Sequence, residues 1–163
     1  MKLVAVSFLL IFQLIFGNSL SSQCPQGSIA SFSGDNCWYL ISVPLDFIYA
    51  ERYCLTLGGH LASIHKAYDN AFMTVKAKEL FSQATRFAIG GNNLRSQKDW
   101  AWNDGSTFDF ENWANYEPSN STWKNCLHVD VGRGKWYTSE CTIKVPFVCQ
   151  KPLSNSSSTM PTP

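Results

Sequence analysis

Two segments in the first half of the chain place apolar residues at the three- and four-residue spacing of an amphipathic helix. The first segment follows Asp46, a residue type that caps helices, and stops at Gly58 and Gly59, which favour a helix end. Its apolar stripe comprises Phe47, Ala50, Cys54 and Leu57. A second helix is predicted between Lys66 and Phe81, with a stripe of Tyr68, Ala71, Phe72 and Val75.

The second half of the chain instead shows short apolar runs between segments rich in Asn, Asp, Gly and Ser. This pattern is typical of short strands joined by long loops. The runs are Phe87–Ile89, Trp100–Trp102, Cys126–Val131 and Val145–Cys149. Near the N-terminus, residues 27–32 and 38–41 predict a hairpin. Two helices beside a mostly antiparallel sheet predict an α+β domain.

Both ends of the chain differ from this domain. Lys2, the apolar run 3–16 and the small or polar residues 17–19 follow the order of a secretory signal peptide, so residues 1–19 are predicted to be a leader. The run is shorter than the ~20 residues that cross a bilayer. Residues 152–163 (PLSNSSSTMPTP) offer little apolar surface to offset their ordering entropy and predict a disordered Ser/Thr/Pro tail. We therefore expect a secreted, extracellular product without a membrane span.

Charge and aromatic content narrow the class of partner. Loss of Lys2 with the leader brings the 13 basic residues level with the 12 acidic ones. No cluster of basic residues is present to attract nucleic acid or an anionic membrane. Six tryptophans are present, of which Trp123 lies in a polar loop and is the best candidate for an exposed ring. We expect the core to hold Trp38, Trp100, Trp102 and Trp136.

The residues that usually carry catalysis or bind metals are poorly placed for either role. Six cysteines in a secreted chain predict three disulfides, although the sequence by itself leaves many pairings open. Full pairing leaves no thiol for nucleophilic catalysis. The histidines His60, His65 and His128 show no metal-ligand spacing, and we expect surface or structural roles for them.

Several motifs, in this order, resemble those of the C-type lectin-like domain family. They are AERYCLTLGGHLASI at 50–64, AIGG at 88–91, WAWNDGS at 100–106, EP at 117–118 and the three last cysteines. The resemblance covers residues 24–151 and implies two helices packed on short, mostly antiparallel strands with long loops and three disulfides. It implies the pairs Cys24–Cys37, Cys54–Cys149 and Cys126–Cys141, the first of which closes the N-terminal hairpin of the long form.

Sugar-binding members of this family hold calcium with an EPN or QPD triplet, an acidic residue before the fourth cysteine of this chain, and a WND triplet before the fifth. Only Glu117 survives here as a clear ligand. The other positions hold Ser119, Lys124, Asn125, Tyr137 and Thr138. Calcium takes six to eight oxygen ligands, and an ammonium group repels it. We therefore expect no cofactor and binding that does not require calcium.

The resemblance implies a binding module, not an enzyme, that recognises a glycan or protein surface, with a role in innate defence. The expected ligand surface is the long-loop region, residues 113–138. Its candidate residues are Glu117, Ser119, Asn120, Trp123, Lys124, Asn125, Tyr137 and Thr138. Two alternatives are an atypical calcium-dependent lectin, which would use Glu117, Asn120 and backbone oxygens, and a hydrolase around Glu117 and His128. The hydrolase lacks paired carboxylates or a nucleophile with a base.

Two N-glycosylation sequons begin at Asn120 and Asn155. A glycan on Asn120 would lie on the loop that contacts sugar in the lectins. Such a glycan would either cover a disused site or leave the working surface elsewhere, and a chance sequon that carries no glycan is the third interpretation.

Overall fold

Ten elements follow one another in the computed structural model, which describes residues 24–153. They are β1 (Ile29–Ala30), β2 (Asn36–Leu45), α1 (Phe47–Thr56), β3 (His60–Leu61), α2 (Ala67–Leu80), β4 (Arg86–Asn92), β5 (Ala101–Trp102), β6 (Cys126–Asp130), β7 (Trp136–Ser139) and β8 (Val145–Pro152). The predicted leader, residues 1–19, and all but the first two residues of the predicted tail lie outside the described residues.

All eight strands belong to one sheet. Six of them follow the order β1-β2-β8-β4-β6-β7, while β3 pairs with β8 and β5 pairs with β4. Every pairing is antiparallel except that of β4 with β8, which meet in parallel at Ala88 and Phe147. The predicted α+β class is confirmed. β8 ends at Pro152, one residue beyond the predicted domain boundary, and the Leu153 amide donates to the Asp35 carbonyl oxygen at 3.0 Å.

Helix α1 begins and ends where its pattern predicts. The Asp46 carboxylate accepts a hydrogen bond from the Tyr49 amide at 3.1 Å, which satisfies one of the free donors at the start of the helix. After the helix, Gly58 takes a φ of +77°, a left-handed conformation that favours glycine. The buried residues of α1 are Phe47, Ala50 and Cys54.

The predicted span of α2 is confirmed, but of the predicted apolar stripe only Phe72 packs against the core. Tyr68 and Val75 are 45% and 53% exposed. The helix instead buries Asp69, Asn70, Met73, Thr74 and Ala77. Two of these polar side chains find partners inside the domain: Asn70 accepts from the Trp136 indole at 2.8 Å, and Thr74 donates to the Asn70 carbonyl oxygen at 2.7 Å. Because these groups are hydrogen-bonded, their burial carries little penalty, and the apolar pattern loses its predictive value.

The core contains Trp38, Trp102 and Trp136 as predicted, each at most 3% exposed, with Trp100 packed against it and partly buried. Three disulfides tie the elements together: Cys24–Cys37, Cys54–Cys149 and Cys126–Cys141, the pairs that the resemblance implies. The second joins α1 to β8 across 95 residues and the third closes a segment of 15 residues. On the chain-entropy model such closures contribute about 3 to 5 kcal/mol each.

Candidate functional site

The long-loop region is attached to the core at its base. Trp113 forms an isolated parallel bridge with Trp136 of β7, and the two rings meet edge to face at 5.7 Å. The amide of Ala114 donates to the Trp136 carbonyl oxygen at 2.9 Å. Farther along, Cys126 is buried and bonded to Cys141. The loop therefore projects from fixed ends, and its polar middle segment is the part that is free to meet a ligand.

Glu117 directs its carboxylate into its own loop and toward β7. One oxygen, Oε2, accepts from the Ser119 amide at 2.9 Å, from the Thr138 amide at 3.1 Å and from the Thr138 hydroxyl at 2.7 Å. The structure thus brings together three of the predicted site residues. Glu117 and Thr138 hold two positions that the resemblance assigns to calcium ligands, and here they bind each other.

Three other predicted residues take no part in these hydrogen bonds. The Lys124 side chain is exposed. The Asn125 side-chain amide donates to the Thr122 carbonyl oxygen at 2.7 Å. Successive residues of a strand point to opposite faces, so the Tyr137 ring lies on the other face of β7 from buried Thr138, where the Arg86 guanidinium stacks over it at 4.1 Å.

The residues present do not fit the calcium site that the resemblance implies. One carboxylate oxygen of Glu117, Oε2, already accepts from three donors, and the other predicted ligand positions supply an ammonium, an amide and three hydroxyls. Two buried oxygens, Oδ1 of Asn93 and Oδ1 of Asn125, have no hydrogen-bond partner in the described part of the chain. Two neutral oxygens fall well short of the six to eight ligands, mostly charged, that calcium takes. Across residues 24–153 no cluster of three His, Cys, Asp or Glu side chains could hold a metal ion.

The solvent-facing part of the loop is aromatic and polar. Trp123 is 78% exposed, as expected from its polar surroundings, and Asn120 is exposed as well. Sequence reasoning missed Tyr116, which is fully exposed and takes a left-handed φ of 65°. An aromatic residue one place before Glu117 in a polar segment was the available signal. The second sequon, at Asn155, lies outside the described residues.

The histidines occupy three different environments. His60 meets Glu51 and His65 meets Asp109, each through Nδ1 at 2.6 Å. His128 is only 2% exposed, and burial, helped by the nearby Arg86 charge, lowers its pKa to about 4. His128 is buried and makes no hydrogen bond to Glu117 within residues 24–153, so its ring is not presented beside Glu117 to a substrate in solvent.

Comparison with known proteins identifies the family. Residues 44–151 match the model of the lectin C-type domain, and the chain belongs to this family. The galactose-specific lectin nattectin of Thalassophryne nattereri is 31% identical over 134 residues, which cover 82% of this chain and 83% of nattectin. Human lithostathine superposes with a TM-score of 0.74 at 26% identity, covering 80% of this chain and 91% of lithostathine. A calcium-independent type II antifreeze protein gives 0.72 at 25% identity, covering 81% and 96% of the two chains.

These matches confirm the predicted family and fold. The matched relatives are lectins and lectin-like binding proteins rather than enzymes. Neither helix within residues 24–153 has the length and apolar character needed to span a membrane.

Proposed function

We propose that this chain is a secreted C-type lectin-like binding module that recognises a glycan or protein surface through its long-loop region, without calcium, in innate defence. The observation that carries the proposal is the occupied carboxylate of Glu117, whose Oε2 accepts three hydrogen bonds from Ser119 and Thr138. The leader-like N-terminus and the three disulfides support a secreted product.

These hydrogen bonds leave calcium only Oε1 of Glu117, unless Oε2 gives up its three donors. None of the other predicted ligand positions holds a carboxylate, and one of them carries the exposed ammonium of Lys124. The fold itself does not demand the metal, because one structural neighbour is described as calcium-independent. The same surface is thus free to bind by hydrogen bonds and aromatic contact alone.

The exposed residues of the loop suit a polar ligand with some apolar surface. Trp123 and Tyr116 offer flat rings with a polar group at the edge, a combination that serves both sugar rings and protein side chains. The exposed side chains of Asn120 and Lys124 belong to the same loop. The nearly neutral chain gives no reason to expect nucleic acid or a membrane surface as the partner.

A glycan array, run once in calcium and once in chelator, tests the proposal directly. We expect the protein to bind the same glycans in both conditions. Trp123→Ala should weaken this binding about tenfold, because it removes a stacking aromatic ring. Phe32→Ala is the matched control, because Phe32 is also an exposed ring but lies far from the loop in sequence. Binding that chelator abolishes would instead support the atypical calcium-dependent lectin. Protein ligands are tested with the same pair of variants if the array shows no spots.

A further inference from the structure

A concave surface elsewhere in the domain uses no residue of the long-loop region. It is an open cleft of about 650 Å³ between β3, the turn after β5 and the end of β8. We call it the polar cleft and define it by its floor, formed by Ser63, His65, Asp104, Ser106 and Gln150. Its volume falls in the range of sites that hold small molecules. Unlike most such sites, it is lined almost entirely by polar residues and glycines.

The floor of the polar cleft is held by its own hydrogen bonds. Asp104 Oδ2 accepts from the Ser63 hydroxyl and from the Gln150 amide, both at 2.6 Å. Its other oxygen accepts from the Ser106 amide at 2.9 Å and from the Ser106 hydroxyl. Ser63 and Gln150 are 4% and 6% exposed. A ligand would therefore meet a polar surface whose side chains are already ordered, which lowers the entropic cost of binding.

The same groups superficially resemble a nucleophile with its base. His65 Nδ1 contacts Asp109 at 2.6 Å, and its Nε2 lies 3.1 Å from the Ser63 hydroxyl and 3.2 Å from that of Ser106. Both hydroxyls, however, donate their protons to Asp104 and not to the imidazole. A histidine that cannot accept the hydroxyl proton does not activate a nucleophile. The arrangement is suited to binding and not to acyl transfer.

Two groups at the rim are free to bind a ligand. The side-chain amide of Asn36 makes no hydrogen bond to any residue in 24–153, although Asn36 lines the cleft. His60 also lines it, and its contact with Glu51 through Nδ1 fixes the ring and leaves Nε2 unpaired within the same range. The Asn36 amide presents both donors and an acceptor, and a neutral His60 ring whose Nδ1–H donates to Glu51 presents an acceptor at Nε2.

These features define the chemistry of the ligand. A hydroxyl group donates and accepts at once, and so matches a rim and floor that offer both kinds of partner. Pro152 is the sole apolar side chain in the lining, which disfavours an apolar molecule or a hydrophobic peptide. We propose that the polar cleft is a second, calcium-independent binding site for a neutral saccharide. The proposal goes beyond the function assigned to the long-loop region, because the two surfaces share no residue.

The expected affinity is low. The lining holds no Phe, Tyr or Trp on which a sugar ring could stack. Hydrogen bonds to a solvated sugar replace bonds to water and bring a modest net gain, so we expect a Kd on the order of 1 mM. Binding of this strength is best followed residue by residue in solution.

Backbone-amide NMR of the secreted chain, titrated with methyl α-mannoside, methyl β-galactoside and N-acetylglucosamine, tests the proposal. At least one sugar should shift the amides of Gly58, Gly59 and Ser106 in a saturable manner. Asn36→Ala combined with His60→Ala should weaken this binding about tenfold, the loss of two hydrogen bonds. Gln83→Ala is the matched control, because Gln83 carries an exposed side-chain amide outside both the cleft and the long-loop region. Asn36→Ala alone should weaken binding about threefold, and it replaces the double variant in the test if the double variant fails to fold.

The outcomes separate this proposal from the function of the long-loop region. Shifts confined to residues 113–138 would overturn the cleft site and leave the proposed function standing. The absence of shifts with all three sugars, or shifts at the cleft that the rim substitutions leave unchanged, would also overturn it. Shifts at the cleft that persist in Trp123→Ala would establish that the two surfaces bind independently.

Discussion

Two carboxylates, one in each candidate binding region, show how differently a retained acidic residue can be used. In the long-loop region, Glu117 accepts three hydrogen bonds, all through Oε2, from Ser119 and Thr138. In the polar cleft, Asp104 accepts four, spread over both oxygens, from Ser63, Ser106 and Gln150. The Glu117 contacts join a loop to the neighbouring strand. The Asp104 contacts unite three segments, two of which lie 87 residues apart in sequence.

The difference shows that an acidic residue in a lectin-like fold need not mark a metal site, because it can instead accept hydrogen bonds within the domain. Burial of Asp104 acts to raise its pKa, but hydrogen bonds from Ser106 and Ser63 and the nearby His65 outweigh it, and the pKa lies below its usual value. Asp104 therefore connects distant segments of the fold through hydrogen bonds. Glu117 accepts hydrogen bonds through one oxygen only and stabilises the conformation of one loop against β7. This comparison leads to four predictions.

The largest effect is expected from Asp104→Ala. The substitution strands four donors, two of them on the buried side chains of Ser63 and Gln150, and should lower the free energy of unfolding by about 4 kcal/mol. Urea unfolding followed by tryptophan fluorescence measures it. If Asp104→Ala lowered the free energy of unfolding no more than Glu117→Ala does, the proposed difference between the two carboxylates would be wrong.

The next effect depends on pH and concerns His128, buried on β6 beside the strand that carries Thr138. Its pKa falls from 6.5 to about 4 in the folded chain, so the folded state resists protonation. The contribution of neutral His128 to the free energy of unfolding is fully present above pH 6.5. It is lost as the pH falls toward 4, which lowers the free energy of unfolding by about 3 kcal/mol in all.

Unfolding free energies measured across this pH window check the His128 prediction, with His128→Gln expected to flatten the profile. His60→Gln is the control, since His60 is partly exposed. The pKa of Asp104 is also lowered, from 3.8, so its contribution is present above that pH and is lost only in stronger acid. As the pH falls, the free energy of unfolding should therefore decrease first through His128 and then, in stronger acid, through Asp104. Parallel pH profiles of unfolding free energy for the parent and His128→Gln would refute the role assigned to His128.

A smaller effect is expected from Glu117→Ala, about 2 kcal/mol. Water can replace the lost acceptor at the Ser119 amide, which lies in the partly exposed loop, but the amide and hydroxyl of Thr138 are buried on β7. Thermal unfolding of this variant beside Thr138→Val, which removes the hydroxyl donor alone, tests whether the two residues act as a pair. Additive losses in the double variant would mean that they do not.

The smallest effect is that of calcium, which should leave the melting temperature unchanged at millimolar concentration because a ligand stabilises only what it binds. An upward shift that chelator reverses and Glu117→Ala removes would contradict the expectation. A designed rescue sharpens the test by restoring the family ligands together. It combines Ser119→Asn, Lys124→Glu, Asn125→Asp, Tyr137→Asn and Thr138→Asp. If the loop keeps the lectin path, this variant should gain about 2.7 kcal/mol at calcium a hundredfold above its Kd.

The amino-acid sequence by itself determined the features that depend on neighbouring residues. Helix α1, with its Asp46 cap and glycine stop, and the main strands follow from local pattern and turn chemistry. The order and spacing of the motifs predicted the family, and the match to the family model confirmed it. The same resemblance implied that most calcium-ligand positions hold other residue types, an expectation that rests on residue identities and needs no coordinates.

Tertiary structure alone decided which polar groups meet. The buried face of α2 is set by Asn70, which finds Trp136 66 positions away, and no helical periodicity encodes such a partner. The two-residue strand β3 forms because β8 offers it a partner, and its own pattern is too short to predict it. The contact of Glu117 with Thr138 and the floor of the polar cleft arise in the same way. A buried polar side chain is stable only where the fold supplies its hydrogen bonds, and that supply comes from segments distant in sequence.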